Sequence, residues 1–439
     1  MDRTRSGVSE IRAAAVRAFS DWSWLDLALG VLLPAAVVMV YVVVLWPYGV
    51  DDAFILLRYG RNLAEGHGLT FNPGLPPVEA YSNFVSVVIA ALAIRIGIAP
   101  MAALKLIGAA CAVVSPATVL VVCRQLGLTP VVARSFALLS ACAAGFVFWG
   151  VSGLETSCAA LTLTVAVALL HERRQALDTA AAIVLLLLSL ARPEGPVFVA
   201  ALWLVRVLCD SRPLGPSQAF RSNLRWGTVF AVLYGGYFAF RYAYFGVLFP
   251  NPVYFKNSQP GSSWLASMSA EYLVNWWPFL LGALLAAVLR LRSSALVLTP
   301  VMVALLVYGR SQHFVVGHVG TMAFFDRYFM HVLPLLTVAA AVGLSALAAR
   351  FDARRRAAAL TAFVALLAVW QFTGPSGRLP SLLRFVEPRR EEIPARIQAV
   401  ADYVNQRFGP KARVATGDVG RLGWAVQGTI LDTFGLTSY

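Results

Sequence analysis

Charged residues are scarce in this chain: of its 439 residues, 13% are Asp, Glu, Lys or Arg, whereas 59% are hydrophobic. Soluble globular chains carry about 25% charged residues and about 45–50% apolar ones. The shortage of charge excludes an ordinary soluble domain, and the excess of apolar residues excludes a disordered chain. The apolar residues recur in runs of about 15–22, long enough to cross a bilayer as helices, so the sequence predicts an all-α polytopic membrane protein.

Cysteine is also rare, and nothing in its spacing indicates a metal site. The five cysteines lie in or beside apolar segments without a close-spaced pair, so neither a disulfide framework nor a cysteine metal site is expected. They are Cys111, Cys123, Cys142, Cys158 and Cys209. A P-loop and a Gly-x-Gly-x-x-Gly fingerprint after a strand are both missing, so no nucleotide-binding motif accompanies the apolar runs.

Acidic residues are outnumbered, with 22 Asp and Glu against 36 Lys and Arg and a net charge of +14. In a soluble protein such an excess would point to nucleic acid. Here the arginines cluster in short loops between the apolar runs, where membrane topology requires them. We therefore expect membrane lipids as partners and no nucleic acid.

The arginines also orient the spans. The first apolar run, Trp24 to Trp46, is too long for a signal-peptide core and follows four arginines, which predicts an uncleaved helix with a cytoplasmic N-terminus. Ten further spans are predicted at residues 101–123, 130–149, 155–171, 178–192, 194–209, 227–244, 272–290, 294–309, 330–350 and 357–372. Eleven crossings place the C-terminus outside, and the loops that this count makes cytoplasmic are the arginine-rich ones.

The apolar stretch 83–98 is the ambiguous segment. Counting it as a span would invert the charge bias of every later loop, so we place it on the outer surface as a juxtamembrane helix. The chain then divides into a transmembrane domain, residues 1–372 with an outer loop at 47–100, and an extracytoplasmic C-terminal domain, residues 373–439. The second domain has a helix pattern and a strand-like run, which predicts a small α/β segment that packs on the membrane domain. Whether it is complete stays open.

Two adjacent carboxylates, Asp51 and Asp52, directly follow the first predicted helix. A carboxyl group partly desolvated near lipid has a raised pKa and can act as a general base on an acceptor hydroxyl. The same pair would also suit a helix cap, because carboxylates accept hydrogen bonds from the free amides of a first turn. Position alone leaves both interpretations open.

The outer loop that follows is rich in glycine, proline and hydrogen-bonding side chains. His67, Asn72, Tyr81 and Asn83 lie within it. Planar polar groups and aromatic rings are suited to holding sugar hydroxyls, so these four residues are candidates for a sugar-binding loop. The requirements of an ordered loop would also explain them.

Five separated blocks of sequence resemble one family. They are Asp51-Asp52-Ala53-Phe54 with the outer loop up to Tyr81-Ser82-Asn83, then Ser152-Gly153-Leu154-Glu155-Thr156, Ala191-Arg192-Pro193-Glu194-Gly195, the region from Arg241 to Lys256, and Gly417-Asp418-Val419-Gly420 with Leu431-Asp432-Thr433-Phe434-Gly435. Together they resemble bacterial GT-C membrane glycosyltransferases, in the branch that contains the mycobacterial terminal arabinofuranosyltransferase. The blocks span nearly the whole chain, so the resemblance is more specific than any single motif.

The resemblance implies a catalytic carboxylate at the end of the first helix, a role that falls to Asp51 or Asp52. It also implies a second acidic residue for the acceptor at Glu155, with Glu79 as a further candidate. For Glu155 the structural alternatives are a helix cap and a partner for Arg192. An acidic group at membrane depth is costly without a use, which favours a functional role.

A polyprenyl-phosphate donor needs cations near the outer interface. The candidates are Arg58, Lys256, Arg327 and Arg241, and a snorkelling anchor for a neighbouring helix is the alternative for each. No cofactor is required, because these cations can neutralise a phosphate leaving group, and a divalent cation is compatible with the chemistry. The chain departs from the branch in the loop at 317–328, where Gly317-His318-Val319-Gly320 stands in place of a Gly-Gly-Asp block.

The activity that the resemblance implies is transfer of arabinofuranose, or another pentose or hexose, from a polyprenyl-phosphate donor. The acceptor would be a cell-envelope glycan or lipid on the extracytoplasmic face of a bacterial plasma membrane. Two alternatives stay open: a transporter or flippase for lipid-linked sugars, and a non-catalytic scaffold of glycan assembly. Transporters tend to show repeated halves and ionisable residues at the bilayer midplane, and the sequence shows neither.

Overall fold

The computed structural model describes residues 21–257, 268–309, 325–374 and 379–437, and these are mostly helical. The helices of the first half are α1 (Trp24–Leu45), α2 (Asp51–Ala64), α3 (Phe84–Arg95), α4 (Pro100–Gln125), α5 (Pro130–Ala141), α6 (Ala144–Gly150), α7 (Thr156–His171) and α8 (Gln175–Ala191). Those of the second half are α9 (Gly195–Leu214), α10 (Pro216–Phe245), α11 (Asn251–Asn257), α12 (Met268–Gly309), α13 (Leu333–Ala348), α14 (Ala353–Thr373), α15 (Leu379–Arg390) and α16 (Glu392–Phe408).

Within the described residues, five helical segments are long and apolar enough to cross a membrane, and α5 with α6, bent by 58°, makes a sixth candidate. The five lie in α1, α4, α12, α13 with the turn before it, and α14. The chain is therefore a mostly helical multi-pass membrane protein. The predicted count of eleven is higher because α12, counted once, covers two predicted spans. Other predicted spans fall on short helices, such as α7 and α8, or on helices with interior charges, as in α9 with Arg206 and Asp210.

The long helix α12 is folded back on itself. At Arg290 its backbone leaves the helical region, with φ −143° and ψ 30°. The rings of Tyr272 and Tyr308 both contact Phe329, with centroids at 4.0 and 5.6 Å. A straight helix of roughly 36 residues would separate them by about 54 Å. The chain therefore turns back at Arg290, as the two separate spans predicted on either side of it require.

Buried ion pairs join helix ends that the predicted order places on the same side. Asp26 in the first turn of α1 bonds Arg134 of α5 at 2.8 Å. Arg206 in α9 bonds Asp210 at 2.9 Å and lies 3.5 Å from Asp178, near the start of α8. All five residues belong to helix ends predicted to be cytoplasmic. The contacts therefore agree with the predicted alternation of helix directions.

Helices α2 and α3 lie on the side opposite the helix ends predicted to be cytoplasmic, and both are too short to span a bilayer. Helix α3 has 12 residues, about 18 Å of helix, against a hydrocarbon core of about 30 Å. The two helices cross closely at Gly60, where a Cβ would stand 2.6 Å from that of Ala90. The stretch predicted as a juxtamembrane helix at 83–98 thus forms a helix of non-spanning length.

The C-terminal segment, residues 379–437, combines helices α15 and α16 with a small parallel sheet. Strand β1 (Arg413–Thr416) pairs with β2 (Thr429–Asp432), and the short helix α17 (Arg421–Ala425) connects them. The Arg61 guanidinium of α2 lies 4.6 Å from the ring centroid of Trp424 in α17. The mixture of helix and strand is as predicted, and the segment packs on the outer loop of the membrane domain.

Candidate functional site

The turn that carries the two aspartates is fixed by hydrogen bonds from neighbouring helices. The Val50 amide donates to the Ser152 carbonyl at 3.0 Å. Lys105 of α4 donates to the carbonyls of Trp46 and Tyr48, the latter at 2.9 Å. A buried ammonium in an apolar helix needs such partners. They fix the path of the chain where it leaves α1.

Asp51 faces the C-terminal segment. Its carboxylate accepts hydrogen bonds from the backbone amides of Gly420 at 3.0 Å and Arg421 at 2.7 Å. Glycine is required at position 420, because a Cβ there would overlap the Asp51 carboxylate. Burial, and then the nearby charge of Asp418, raise the pKa of Asp51 to about 7. A carboxyl group with this pKa is suited to accept a proton at neutral pH.

The helix-cap interpretation of the aspartates is wrong for their own helix. Val50 is the N-cap of α2 and makes no side-chain cap hydrogen bond, while Asp51 and Asp52 occupy the first turn. Asp51 accepts instead from amides at the start of α17, more than 360 residues along the chain. Its carboxylate therefore joins the membrane domain to the C-terminal segment.

Asp52 pairs with a distant arginine. Its Oδ2 lies 2.7 Å from Nη1 of Arg327, and the Asp52 side chain is 32% exposed against 11% for the arginine. The guanidinium also lies 5.2 Å from the ring centroid of Trp149. Burial alone lowers the pKa of Arg327, but the surrounding charges, Asp52 and Glu155 among them, raise it above its ordinary value. A cation is thereby held beside a carboxylate that solvent can reach.

A strained turn positions this arginine. Phe325 and Asp326, which precede Arg327, both have φ 53°, a left-handed conformation that costs non-glycine residues about 1–2 kcal/mol each. The Asp326 carboxylate accepts hydrogen bonds from the Asn275 amide at 3.1 Å and the Trp276 indole at 2.9 Å. These bonds offset the strain and hold the turn against α12.

The second acidic candidate, Glu155, lies in a buried polar network. Arg192 donates to its Oε1 at 2.9 Å and Asn83 to its Oε2 at 3.1 Å. Arg192 also bonds Glu194 and the Tyr308 hydroxyl. Of the two structural alternatives, the partner for Arg192 is confirmed. The cap is wrong, because Glu155 is an N-cap without a side-chain cap bond.

Arg58 and Asn72 attach the C-terminal segment to the outer loop. The buried Arg58 guanidinium donates to three carbonyls of the segment, those of Gly423, Val426 and Gly428. The Asn72 side chain accepts from the Ile430 amide at 3.0 Å and donates to its carbonyl at 2.8 Å. Burial lowers the pKa of Arg58 to about 10, so it stays charged at neutral pH. Arg58 was predicted to bind phosphate and Asn72 to bind sugar, but the polar groups of both side chains bond the C-terminal segment instead.

Replacing Arg58 with methionine is expected to loosen the C-terminal segment. Methionine fills similar space but leaves buried carbonyls without donors, at about 1–3 kcal/mol each. We expect faster proteolysis within residues 379–437 of the purified full-length protein. The control is Arg396→Met, because Arg396 forms an exposed pair with Glu392, which is worth about 1 kcal/mol or less. Equal cleavage rates for the two variants would show that Arg58 does not anchor the segment.

Glu79 and Arg241 pair with each other rather than with the aspartates. Arg241 Nε lies 2.7 Å from Glu79 Oε2, and the side chains are 5% and 1% exposed. Burial raises the pKa of Glu79 to about 7, although Arg241 acts in the opposite direction. The Glu79 carbonyl accepts from the Asn251 amide at 2.8 Å. In place of the predicted acceptor and phosphate contacts, the pair connects the outer loop to α10 and α11.

The remaining loop candidates also serve the loop itself. Asn83 caps α3 by accepting from the Ser86 amide at 2.9 Å. The buried Tyr81 ring packs edge-on against Tyr59, with centroids 4.8 Å apart. His67 is half exposed and its Nδ1 lies 3.6 Å from a Glu65 carboxylate oxygen. The structure therefore does not gather the four predicted sugar-binding residues into one site.

Two predictions fall outside the described residues. Lys256 belongs to α11, but its side chain is not among them, and neither are residues 310–324, which include much of the loop that departs from the family pattern. In the described ranges, no three His, Cys, Asp or Glu side chains form a group that could hold a metal ion. The roles predicted for Lys256 and for a divalent cation stay predictions.

Three residues that shape the site were not among the predicted site residues: Lys105, Asp326 and Asp418. Lys105 could have been recognised from the sequence, because it is one of three lysines and lies in an apolar run. Asp326 directly precedes Arg327, and Asp418 lies in one of the family-like blocks. Their partners come from distant parts of the chain, so spacing in the sequence does not identify their contacts.

Solved structures share this architecture. The chain is similar to ArnT from Cupriavidus metallidurans bound to undecaprenyl phosphate, with a TM-score of 0.60 and 12% identity, covering 91% of this chain and 85% of that one. The chain has a GT-C-like fold. It is also similar to the Archaeoglobus fulgidus oligosaccharyltransferase in its apo form, with a TM-score of 0.56 and 12% identity, covering 91% of this chain but 65% of that one.

A third similar structure is AglB from Archaeoglobus fulgidus in complex with an inhibitory peptide and a dolichol-phosphate, with a TM-score of 0.53 and 12% identity. That match covers 92% of this chain and 64% of the archaeal protein. Residues 387–439 match a domain of unknown function (DUF8728). No curated protein matches the chain. At this identity the comparisons establish the GT-C-like fold and leave the reaction to the site.

Proposed function

We propose that the chain is a membrane glycosyltransferase that takes a sugar from a polyprenyl-phosphate donor. The observation that supports this most directly is that the two adjacent carboxylates have different surroundings. Asp51 borders a cavity, while Asp52 bonds the buried Arg327. The GT-C-like fold gives further support. Two of the similar structures are of proteins bound to undecaprenyl phosphate and to a dolichol-phosphate.

In the proposed reaction, an acceptor hydroxyl attacks the anomeric carbon of the donor. The hydroxyl proton passes to the Asp51 carboxylate as the new carbon–oxygen bond forms. The bond between the anomeric carbon and the phosphate oxygen breaks, and its electron pair leaves with the polyprenyl phosphate. Arg327 stabilises the charge on this leaving group.

The geometry favours Asp51 as the base and Asp52 as a positioning residue. Asp51 borders the cavity, and burial raises its pKa to about 7, near the pH at which a base is most effective. Asp52 is committed to the ion pair that orients Arg327. We propose that Glu155, fixed by Arg192 and outside this cavity, supports the charge of Arg327 in place of the predicted acceptor role, and that Lys256 adds a second cation for the phosphate.

We further propose eleven crossings, with the site on the extracytoplasmic face of a bacterial plasma membrane. The arginine-rich loops support this orientation, because they lie at the helix ends opposite the two aspartates. The donor sugar we propose is arabinofuranose or another pentose or hexose, and the acceptor a cell-envelope glycan or lipid.

The proposal is tested by reconstituting the full chain in vesicles and supplying a panel of polyprenyl-phosphate sugars and nucleotide sugars, with envelope extract as acceptor. We expect release of polyprenyl phosphate from at least one lipid-linked donor and no consumption of nucleotide sugars. Movement of labelled donor across the bilayer without that release would instead identify a flippase. Neither movement nor release would indicate a scaffold, and both of these results would overturn the proposal.

A further inference from the structure

A cavity of about 200 Å³ lies beside the contact between the start of α2 and the C-terminal segment. Tyr48 and Asp51 line it from the membrane domain, and most of the other lining residues belong to the segment. Its margin includes Ile393, which is exposed, so the cavity communicates with solvent. The catalytic carboxylate that we propose therefore lies in a wall completed by the C-terminal segment.

The polar groups of the cavity include both fixed donors and fixed acceptors. The Arg389 guanidinium lies 3.7 Å from the ring centroid of Phe385, and that of Arg421 lies 4.2 Å from the centroid of Phe54. Stacking of this kind holds the planar guanidinium, so its hydrogen-bond donors have set directions. The carboxylates of Asp51 and Asp418 supply acceptors. Sugar hydroxyls both donate and accept, and they are complementary to such a mixed wall.

The cavity carries carboxylates as well as guanidinium groups. A phosphate placed there would be repelled by Asp51 and Asp418 while Arg389 and Arg421 attract it, so these four side chains provide no net charge that selects an anion. Arg327 offers the phosphate a cation bonded to the neighbouring carboxylate, Asp52. The donor phosphate is therefore expected at Arg327 and the ligand of the cavity at the adjacent carboxylate, Asp51.

The size of the cavity limits what it can hold. At about 30 Å³ for each water, about 200 Å³ corresponds to about seven water molecules. That space suits one sugar ring and is too small for an oligosaccharide. Because the margin of the cavity reaches solvent, the rest of a longer glycan can extend outward from it.

We propose that this cavity binds the terminal sugar of the acceptor glycan, with the reacting hydroxyl beside Asp51. The inference rests on the proposed function and names the part of the acceptor that is recognised. Arg389 and Asp418 then select the acceptor, although both belong to the C-terminal segment rather than to the membrane domain. Removal of either side chain should weaken binding of the acceptor more than binding of the donor.

The test uses the full-length protein with Arg389→Met and Asp418→Ala, and with Asp402→Ala as a control, because Asp402 is an exposed residue of α16. We expect the first two substitutions to raise the KM for the acceptor at least tenfold and to change the KM for the donor less than twofold. Asp402→Ala should leave both values unchanged. Acceptor KM values equal to wild type in both cavity variants would overturn the subsite while leaving the glycosyltransferase proposal intact.

If no donor is turned over, that result counts against the proposed function alone. A binding measurement then still tests the subsite. Saturation-transfer NMR with methyl pentofuranosides and methyl hexopyranosides reports contact of a single sugar with the protein. We expect a signal from at least one glycoside with wild type, and its loss in Arg389→Met. No signal from any glycoside, or an equal signal from wild type and Arg389→Met, would overturn the inference.

Discussion

Asp51→Asn is expected to lower the rate of sugar transfer by about 10²–10⁴-fold, the contribution typical of a positioned general base. The amide has the shape of the carboxylate and keeps one oxygen, which can accept from one of the two backbone amides, of Gly420 and Arg421, that bond the two carboxylate oxygens. It cannot take the proton of an acceptor hydroxyl. We therefore expect kcat to fall while the KM for the donor stays near wild type, measured as initial rates in vesicles.

Two further variants make this result specific. Asp402→Asn changes an exposed carboxylate of α16 and should retain the wild-type rate. Asp52→Asn should retain more activity than Asp51→Asn, because Asp52 acts through the position of Arg327. If Asp52→Asn lost more activity than Asp51→Asn, the role of base would pass to Asp52.

Arg327→Gln is expected to reduce kcat by about 10²–10³-fold, because it removes the cation that stabilises the leaving phosphate. The guanidinium is held by its contacts with Asp52 and Trp149. Arg327→Lys should recover part of the rate, since lysine keeps the charge but lacks the planar fork of donors. Single-turnover measurements separate this loss from slow product release.

The control for Arg327 is Arg384→Gln, because Arg384 is an exposed arginine of α15. It should transfer sugar at the wild-type rate. Both variants should also unfold at similar temperatures, because the Asp52 carboxylate left behind is 32% exposed and can be solvated. Transfer by Arg327→Gln within threefold of wild type would show that this arginine does not hold the phosphate.

Several features of the fold could be predicted from residue patterns. Runs of apolar residues identified the membrane helices, and the arginines at 290 and 292 marked the break in α12 that the contacts of Phe329 confirm. Helical spans have a simple rule of length and polarity, which explains this success. Fewer helices meet a test of length and polarity than the eleven predicted spans, because α12 holds two of those spans and others fall on short or partly charged helices.

The candidate site was harder to predict because its contacts join distant parts of the chain. Arg58 was predicted to bind phosphate, but its partners are carbonyls about 365 residues later, in the C-terminal segment. Arg241 and Glu79 were assigned separate roles and form one buried pair, 162 residues apart. A charged residue in an outer loop shows from sequence only that it needs a partner. For Arg58 the partner depends on how the C-terminal segment packs, and for Arg241 on how the outer loop packs against α10.

Acidification has opposite effects on the stability and on the activity that depend on Asp51. The pKa of Asp51 is about 7 in the folded state, against an ordinary 3.8. Between about pH 4 and 7, Asp51 is therefore protonated in the folded protein and ionised in the unfolded chain. Asp51 therefore favours folding more at the acidic end of this window than at neutral pH. Loss of activity on acidification would accordingly reflect protonation of the base rather than unfolding caused by this residue.

The pH dependence of transfer by the wild-type protein is the most direct test of the central claim, that Asp51 is the general base of a glycosyltransferase. The prediction is a rate that falls about tenfold per pH unit below an apparent pKa near 7 and levels off above it, with this limb absent from the residual activity of Asp51→Asn. Asp418→Asn should move the limb to lower pH, because it removes a neighbouring negative charge. A profile that is flat between pH 5 and 8, or one with the same limb in Asp51→Asn, would contradict the claim.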